Sequence, residues 1–435
     1  MEEKLFVGVG RSDITPQVGS WLMGYAPGRQ AQSINDHLYV TVLAFEYAGI
    51  RTLIASADVC VINEPLVSIV REQMAAATSV HFEHIIISAT HTHSGPAMRE
   101  TPGGSSTDEQ YLYHKFCPLA AAAAAQAVGS LQQAKMGVAE IPSVAGINRR
   151  QLNEDGTIGL GQNPYGSYDP IMTVISFTSP DGKPIANLIH YGAHNTASGI
   201  NPEITRDWCG VMVDRLEAES GGITVFVNGC EGDCGPRLPN GRTTGNLKLA
   251  MELGACAGID AVNAWRSIKE WHDGAAMKVL SEEIPLPLES LPSLDELKKQ
   301  KVGLGDPDHL VGLKVMEYTR LCERIEIVRS GKPVDTCLML RQTIISIGPV
   351  AFVPIPFEVF SIITLRIRQH SPYPYTISLS NANGSYYYLP SQDQICRGGY
   401  EIWVFKAMNA QPFADDTEQY MVSGNIRLLR KLCSR

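Results

Sequence analysis

The sequence predicts a single large α/β unit, with a mixed β-sheet core covered by helices, a functional site at the strand ends, and a helical hairpin inserted at 292–332. Three observations predict this class. Apolar extended runs alternate with helical stretches along all 435 residues. Polar residues gather directly after the apolar runs, as they do where a site is built at strand ends. No Pro/Gly/Ser-rich linker and no internal repeat divides the chain, so residues 1–435 read as one domain.

The first extended run is Leu5 to Val9; Gly8 and Gly10 form a lone GxG without later glycines at nucleotide-binding spacing and read as a strand exit. Tyr39 to Tyr47 and Arg51 to Ser56 follow, joined through Ala48-Gly49-Ile50 as a hairpin. Asn63 is placed to cap a helix to about Ala77, whose apolar face is Leu66, Val67, Ile69, Val70 and Met74. After the run Ile85 to Ile87 and a Gly/Thr-rich loop, a long helix is expected to reach about Lys135. Its centre, Ala120 to Ala125, combines high helix propensity with little bulk and suits close packing on a sheet.

An extended stretch from Met136 to Ile147 ends in Asn148-Arg149-Arg150 and a polar loop of about twenty residues, a length that is often functional. Strands Ile171 to Thr178 and Ile185 to His190 flank Pro180-Asp181-Gly182. A helix is expected from Asp207 to about Glu219, then a strand from Ile223 to Val227. A helix from about Gly245 to Trp271 and an extended Met277 to Leu286 precede the charged residues 292–332, expected to form a helical hairpin packed on the outside. Strands return at Cys337 to Ile347, Val350 to Ile355 and Tyr375 to Ser380, with a helix starting near Glu358.

Apolar residues make up 44% and charged residues 19%, as in ordinary soluble globular proteins. The formal charge of -9, with no dense Lys/Arg face, argues against nucleic acid as a partner. The acidic start MEEKLFVGVGRSD has no basic region followed by an apolar one, and no run of about eighteen apolar residues occurs. A cytoplasmic protein without a secretory signal or transmembrane helix is expected. The ten cysteines are expected to be mostly reduced, buried thiols; Cys230 and Cys234 form a CxxxC without a second pair or a neighbouring His at zinc-site spacing.

Chemistry concentrates at His84 to Pro96, HIIISATHTHSGP. On an extended backbone His91 and His93 leave on the same side. Neutral imidazole is a preferred zinc ligand, and a loop after a strand can leave a coordination position open. The plain alternative is a hydrogen-bonded pair at a strand end. His190 and His194 follow another apolar strand in the same way. On local pattern alone, Glu358 suits a first helical turn, Tyr386-Tyr387-Tyr388 suits a strand that buries alternate rings, and Arg149 suits a salt bridge.

In chain order between residues 8 and 401 stand Gly10-Arg-Ser-Asp-Ile-Thr-Pro16, Met23-Gly-Tyr-Ala26, Ala89-Thr-His-Thr-His-Ser-Gly-Pro96, Asn148-Arg149, His194-Asn-Thr196, Gly232-Asp233, Pro356-Phe-Glu358, and Tyr388 with Tyr400. As a set, led by ATHTHSGP, they resemble the neutral/alkaline ceramidase family of zinc-dependent amide hydrolases. The resemblance implies a zinc held by His91, His194, Glu358 and Tyr388, with a metal-bound water attacking an amide carbonyl. It implies His93 as general base and then acid, and Arg149 with Tyr400 as stabilisers of the charge on the carbonyl oxygen. The HNT context selects His194 over His190, which becomes a core or supporting residue. Spacing alone leaves the roles of His91 and His93 open to exchange.

The chain also departs from the family. Where ceramidases carry serine in a GDxSP loop, this sequence has Gly232-Asp-Cys-Gly-Pro236, so Gly235 removes a serine nucleophile. At 435 residues the chain is shorter than typical ceramidases; it is expected to lack their C-terminal immunoglobulin-like domain and an export signal, and to act on a smaller amide than ceramide, or on an ester. The alternatives are a zinc esterase on the same scaffold, or an inactive metal-containing protein that binds a ligand. The metallo-β-lactamase pattern also uses HxH after a strand, but its following Asp-His is replaced here by Ser94-Gly95.

Overall fold

The computed structural model describes residues 4–273 and 275–435. Its three main sheets share one topology. In the first, strands Phe6–Asp13, Tyr39–Tyr47 and Ile50–Ala57 form an antiparallel meander; helix Leu66–Thr78 then crosses over to Ile85–Ala89, which pairs parallel to the third strand. In the second, Lys135–Pro142, Ile171–Thr178 and Pro184–Tyr191 make the meander, helix Asp207–Ser220 the crossover and Ile223–Asn228 the parallel strand. Met277–Pro287, Cys337–Ile347, Val350–Pro354, helix Ser361–His370 and Tyr375–Leu379 repeat the pattern.

The fold is therefore internally threefold although the sequence shows no repeat. The inner faces of the three sheets meet in one core that includes Leu43, Phe45 and Ile54, then Ile175, Phe177 and Leu188, then Ile345, Phe352 and Ile377. Phe45 and Phe177 meet edge to face across it, with centroids 5.4 Å apart. Alternate residues of the same strands, such as Val40, Val42 and Ala44, point outward under the helices. Both faces are buried, which is why these strands read as continuous apolar runs.

In each unit a further helix covers the first two strands: Cys117–Gly129, Leu247–Arg266 and Thr417–Cys433. The alanine run buries Ala120, Ala123, Ala124 and Ala127 against the first sheet. Contact is so close that a Cβ on Gly10 would lie 2.1 Å from the Ala123 carbonyl oxygen, which accounts for the GxG better than a strand exit does.

Several local expectations are corrected. The alanine-rich helix ends at Gly129 and not near Lys135, because Gln132 and Gln133 are drawn onto the sheet edge beside Phe6 and Val7. The helix expected to reach Trp271 likewise ends at Arg266, and Trp271–Asp273 becomes an edge strand beside Lys135–Pro142. Asn63 caps nothing; its amide donates to the Glu64 carbonyl at 3.2 Å, and the helix starts at Leu66. The polar loop after Arg149 contains the small hairpin Arg150–Leu152 and Ile158–Leu160. Glu358 is not in a helix but in the short strand Glu358–Val359, since its amide is taken by the Tyr387 carbonyl at 2.8 Å; the helix begins at Ser361.

Helices Leu294–Gly303 and Leu313–Arg329 pack on each other through Leu297, Leu321 and Ile325. They do not lie wholly on the outside, because Leu313 and Met316 line a cavity between the helical pair and the rest of the molecule. All ten cysteines are free, but half of them, not most, are buried: Cys60, Cys117, Cys209, Cys230 and Cys234. No helix among the described residues is long and apolar enough to cross a membrane.

Because Phe352 is fully enclosed where the three sheets meet, Phe352→Ala is expected to lower stability by about 3–5 kcal/mol, read as a fall in the urea midpoint.

Candidate active site

Within each unit the first, third and fourth strands run the same way, so their C-terminal ends lie together. Residues just beyond the fourth strands are His91, Glu231 and Asn381; just beyond the third strands come Cys60, His194 and Glu358. Connections leaving the first strands carry Tyr25, Arg149 and Met316. Nine positions that are remote in sequence thereby converge on one end of the molecule.

His91 has a left-handed backbone (φ 67°), fixed by its amide donating to the Val59 carbonyl at 3.0 Å. Its Nδ1 faces the Cys60 carbonyl at 2.8 Å, and His194 Nδ1 faces the Glu231 carbonyl at 2.6 Å. A carbonyl can only accept, so both Nδ1 atoms carry the hydrogen and both Nε2 atoms present lone pairs. Those lone pairs point at Glu358 Oε2, 3.5 Å from His91 Nε2 and 3.2 Å from His194 Nε2. Glu358 Oε2 is buried without a hydrogen-bond donor.

Three acceptor atoms facing one another in a buried space fit a cation, and two imidazoles with a carboxylate are a donor set that suits zinc. His91, His194 and Glu358 form a group with ligand atoms within 4.8 Å of one another; Cys60, His91 and His93 form a second. In the second group Cys60 Sγ lies 3.8 Å from His91 Nδ1, the nitrogen already engaged by a carbonyl. The first group is thus the one that His91 faces with its free lone pair.

The charges fit the same reading. Burial lowers the pKa of His91, but Cys60 and Glu358 raise it to a value well above the ordinary imidazole range. Burial and then Arg149 push His194 down to about 3. Glu358, despite burial, is held well below the usual carboxylate range by His91 and His194. A His91 that held this proton would point an N–H at Glu358; the lone-pair arrangement is that of the neutral ring, in which a cation takes the proton's place.

Tyr388 is placed by the parallel pairing of Glu358 with Tyr388 in two short strands, and its hydroxyl lies 3.4 Å from His194 Nε2. Arg149 Nη2 donates to that hydroxyl at 2.8 Å, while its Nε donates to Glu401 at 2.8 Å. Arg150 occupies the other Glu401 oxygen at 2.7 Å. Tyr400 meets the Tyr388 ring edge to face at 5.9 Å. His93, partly open to the cavity, has Nε2 at 3.2 Å from His91 Nε2, and its Nδ1 has no partner. Burial, followed by the charges of His91 and His194, lowers its pKa well below the ordinary value. The structure brings all seven sequence-selected residues together; His190 stays apart, its Nε2 bonded to the Ser378 carbonyl at 3.0 Å.

Sequence reasoning missed four neighbours. Tyr25 lies edge to face on His93, 4.9 Å between centroids, with a buried hydroxyl that has no partner. Gly24 before it has φ 111°, and a Cβ there would stand 2.4 Å from the His93 ring. The MGYA stretch was its signal. Cys60 supplies the carbonyl that orients His91, and Asn381 donates to Glu231 Oε1 at 2.7 Å. Burial, against the opposing pull of His91, raises the Glu231 pKa to about 8. No local pattern marked these last two residues.

The GDCGP loop is structural here. Asp233 accepts from the Ser361 amide and hydroxyl at 2.8 and 2.7 Å, capping the helix behind Glu358, and its carbonyl takes the Arg149 amide at 2.8 Å. Cys230 and Cys234 are in neither ligand group.

The model of the neutral/alkaline non-lysosomal ceramidase N-terminal domain matches residues 5–258. The chain belongs to this family. It is 27% identical to neutral ceramidase A of Dictyostelium discoideum over 254 residues, 53% of this chain and 35% of that relative. The match thus spans about a third of the relative's length. The crystal structure of neutral ceramidase from Pseudomonas aeruginosa superposes with a TM-score of 0.75 at 18% identity, over 100% of this chain and 75% of that one. A ceramidase complexed with C2 gives 0.75 at 17% identity, over 99% and 76%. At such identities the likeness is one of fold, and it extends past residue 258 to the segments that carry Glu358, Tyr388 and Tyr400.

Glu401 balances two buried guanidinium groups. Glu401→Ala is expected to cost about 3–5 kcal/mol by leaving both charges uncompensated, with denaturant unfolding as the measurement.

Proposed function

We propose that this chain is a zinc-dependent hydrolase of N-acyl amide bonds, ceramidase-like in its chemistry, acting on a substrate smaller than ceramide. Residues 1–435 then act as one catalytic unit, with 292–332 as a helical insertion. The observation that carries the reading is the convergence of two hydrogen-free imidazole nitrogens on an unpartnered carboxylate oxygen. Family membership supports the amide bond as the target.

His91, His194, Glu358 and Tyr388 would hold the zinc. When bound, zinc supplies Lewis acidity and lowers the pKa of a coordinated water toward about 7. His93, beside the ligand set with its Nδ1 unpartnered, would take a proton from the attacking water and pass it to the leaving amine, so that water adds across the broken C–N bond. Arg149, held on one side by Glu401 and on the other by the Tyr388 hydroxyl, directs its charge at the same space. Together with Tyr400 it would stabilise the carbonyl oxygen as charge develops there. The cavity has a volume of about 310 Å³, at the lower end of ordinary small-ligand sites, which agrees with a small substrate.

Purified wild-type protein is expected to contain about one zinc per chain, and His91→Ala and His194→Ala to lose most of it in elemental analysis; unchanged zinc in both would sink the ligand set. His93→Ala is expected to keep its zinc while amide turnover drops about 10²–10⁴-fold. Full turnover in that variant would remove His93 from the mechanism, and zinc without turnover in the wild type would favour a ligand-binding protein.

A further inference from the structure

We propose that Arg99 anchors a carboxylate on the substrate, so that the preferred substrates are short N-acyl amides with a carboxylate at one end. The amide rests on the hydrolase reading above; the carboxylate rests on separate observations.

Arg99 stands in the wall between two cavities. One is the catalytic cavity of about 310 Å³; the other, of about 470 Å³, adjoins it, and Arg99, Tyr387 and Met408 line both. The guanidinium lies over the Tyr387 ring, 4.2 Å from its centroid. Its Nε is buried with no acceptor, and it belongs to no ion pair among the described residues. Tyr387 is itself fixed, with a left-handed backbone (φ 66°) and its hydroxyl 3.5 Å from Met316 Sδ. Stacking holds the guanidinium plane and leaves its donors open.

Of the other guanidinium groups nearby, Arg149 is bound to Glu401 and the Tyr388 hydroxyl. Arg29 donates to the carbonyls of His93 and Asn201 and keeps an unpartnered Nη1, but it does not line the catalytic cavity. Arg320, in the adjoining cavity, is paired with Glu323. Among the described residues lining the catalytic cavity the carboxylate is that of Glu358, which belongs to the metal cluster. Arg99 is thus the unpaired cation of the cavity. A partly buried charge without a counter-ion costs free energy that an incoming anion offsets, and a pre-oriented guanidinium fork matches a carboxylate bidentately.

Chain length follows from what lies beyond. The adjoining cavity is lined by Glu64, Glu100 and Glu109 against one further cation, Arg320, which is already paired with Glu323, so its net charge would repel an anion that ran past Arg99. The carboxylate therefore stops at the wall. A neutral lipid amide can offer Arg99 a carbonyl or hydroxyl acceptor but no carboxylate to balance its charge.

The test uses the zinc-loaded full chain with two anionic probes, N-hexanoylglycine and N-butylsuccinamate, which carry the carboxylate on the amine and acyl sides. Each is compared with its neutral carboxamide, and ceramide in micelles is a further arm. At least one anionic probe is expected to exceed its neutral partner about tenfold or more in kcat/KM, mainly through KM. Arg99→Gln should bring that ratio to about one, and Arg99→Lys should restore part of it. A wild-type ratio near one, a preference for ceramide, or a ratio that survives Arg99→Gln overturns the anchor. The wild-type ratio remains decisive even if a variant fails to fold.

If no amide is turned over, the hydrolase reading fails separately, and calorimetric binding of N-hexanoylglycine tests the anchor instead. Binding weakened about tenfold or more in Arg99→Gln supports it; absent or Arg99-independent binding overturns it.

Discussion

Two imidazole nitrogens and a carboxylate oxygen, all buried and all without a hydrogen between them, face one another across 3.2 and 3.5 Å where the ends of three sheets meet. Left to themselves these lone pairs repel, and burial removes the water that would separate them. The surrounding backbone nevertheless holds them in place. Carbonyls of Cys60 and Glu231 fix both tautomers, a left-handed residue aims His91, and a parallel strand pair sets Glu358 beside Tyr388. Such convergence is possible because each sheet sends its first, third and fourth strands the same way. The strand-to-strand hairpins at the other end, such as Ala48-Gly49, stay short and carry none of the site.

The α/β class and most strands were legible because burial on both faces leaves a continuous apolar run that few other structures need. Tyr39–Tyr47 and Ile171–Thr178 have the bounds that their residues suggest. Helix ends were misjudged at Gly129 and Arg266, where local propensity lost to an open sheet edge that captured the next residues. His91, His93, His190 and His194 stood out as polar side chains at the ends of apolar strands, and the likeness to the family, not the local pattern, separated His194 from His190. Glu358 and Tyr388 did not stand out. Their significance comes from the register of two two-residue strands, a long-range pairing that no local window contains.

The threefold plan left no mark in sequence for a related reason. The fourth strands IIISA, ITVFVN and YTISL share only their apolar character, and the residues that follow them are His91, Glu231 and Asn381. Equivalent positions hold a proposed ligand, a buried carboxyl and an amide. Asn381 and Glu231 bond to each other at 2.7 Å, and the amide's contact with that carboxyl draws them into one layer under His91. Position in the repeat, not residue type, is what these three have in common.

Chemistry and selectivity are consequently carried by different parts of the same plan. Residues just past the third and fourth strands have rigid backbones on either side, and a ligand set or a proton carrier needs that precision. The connections leaving the first strands are free to vary, and they do: one is the turn-rich stretch with Tyr25, one the loop with Arg149 and Arg150, one the charged pair of helices that sends Leu313 and Met316 into the cavity. Of these, Arg149 is tied back to the strand ends through Tyr388 and Glu401, so it moves with the chemistry. The helical pair has its own small core around Leu297, Leu321 and Ile325. A wall with its own core can be reshaped without disturbing three lone pairs that must stay within a few tenths of an ångström, so substrate choice in this scaffold can change while the centre remains fixed.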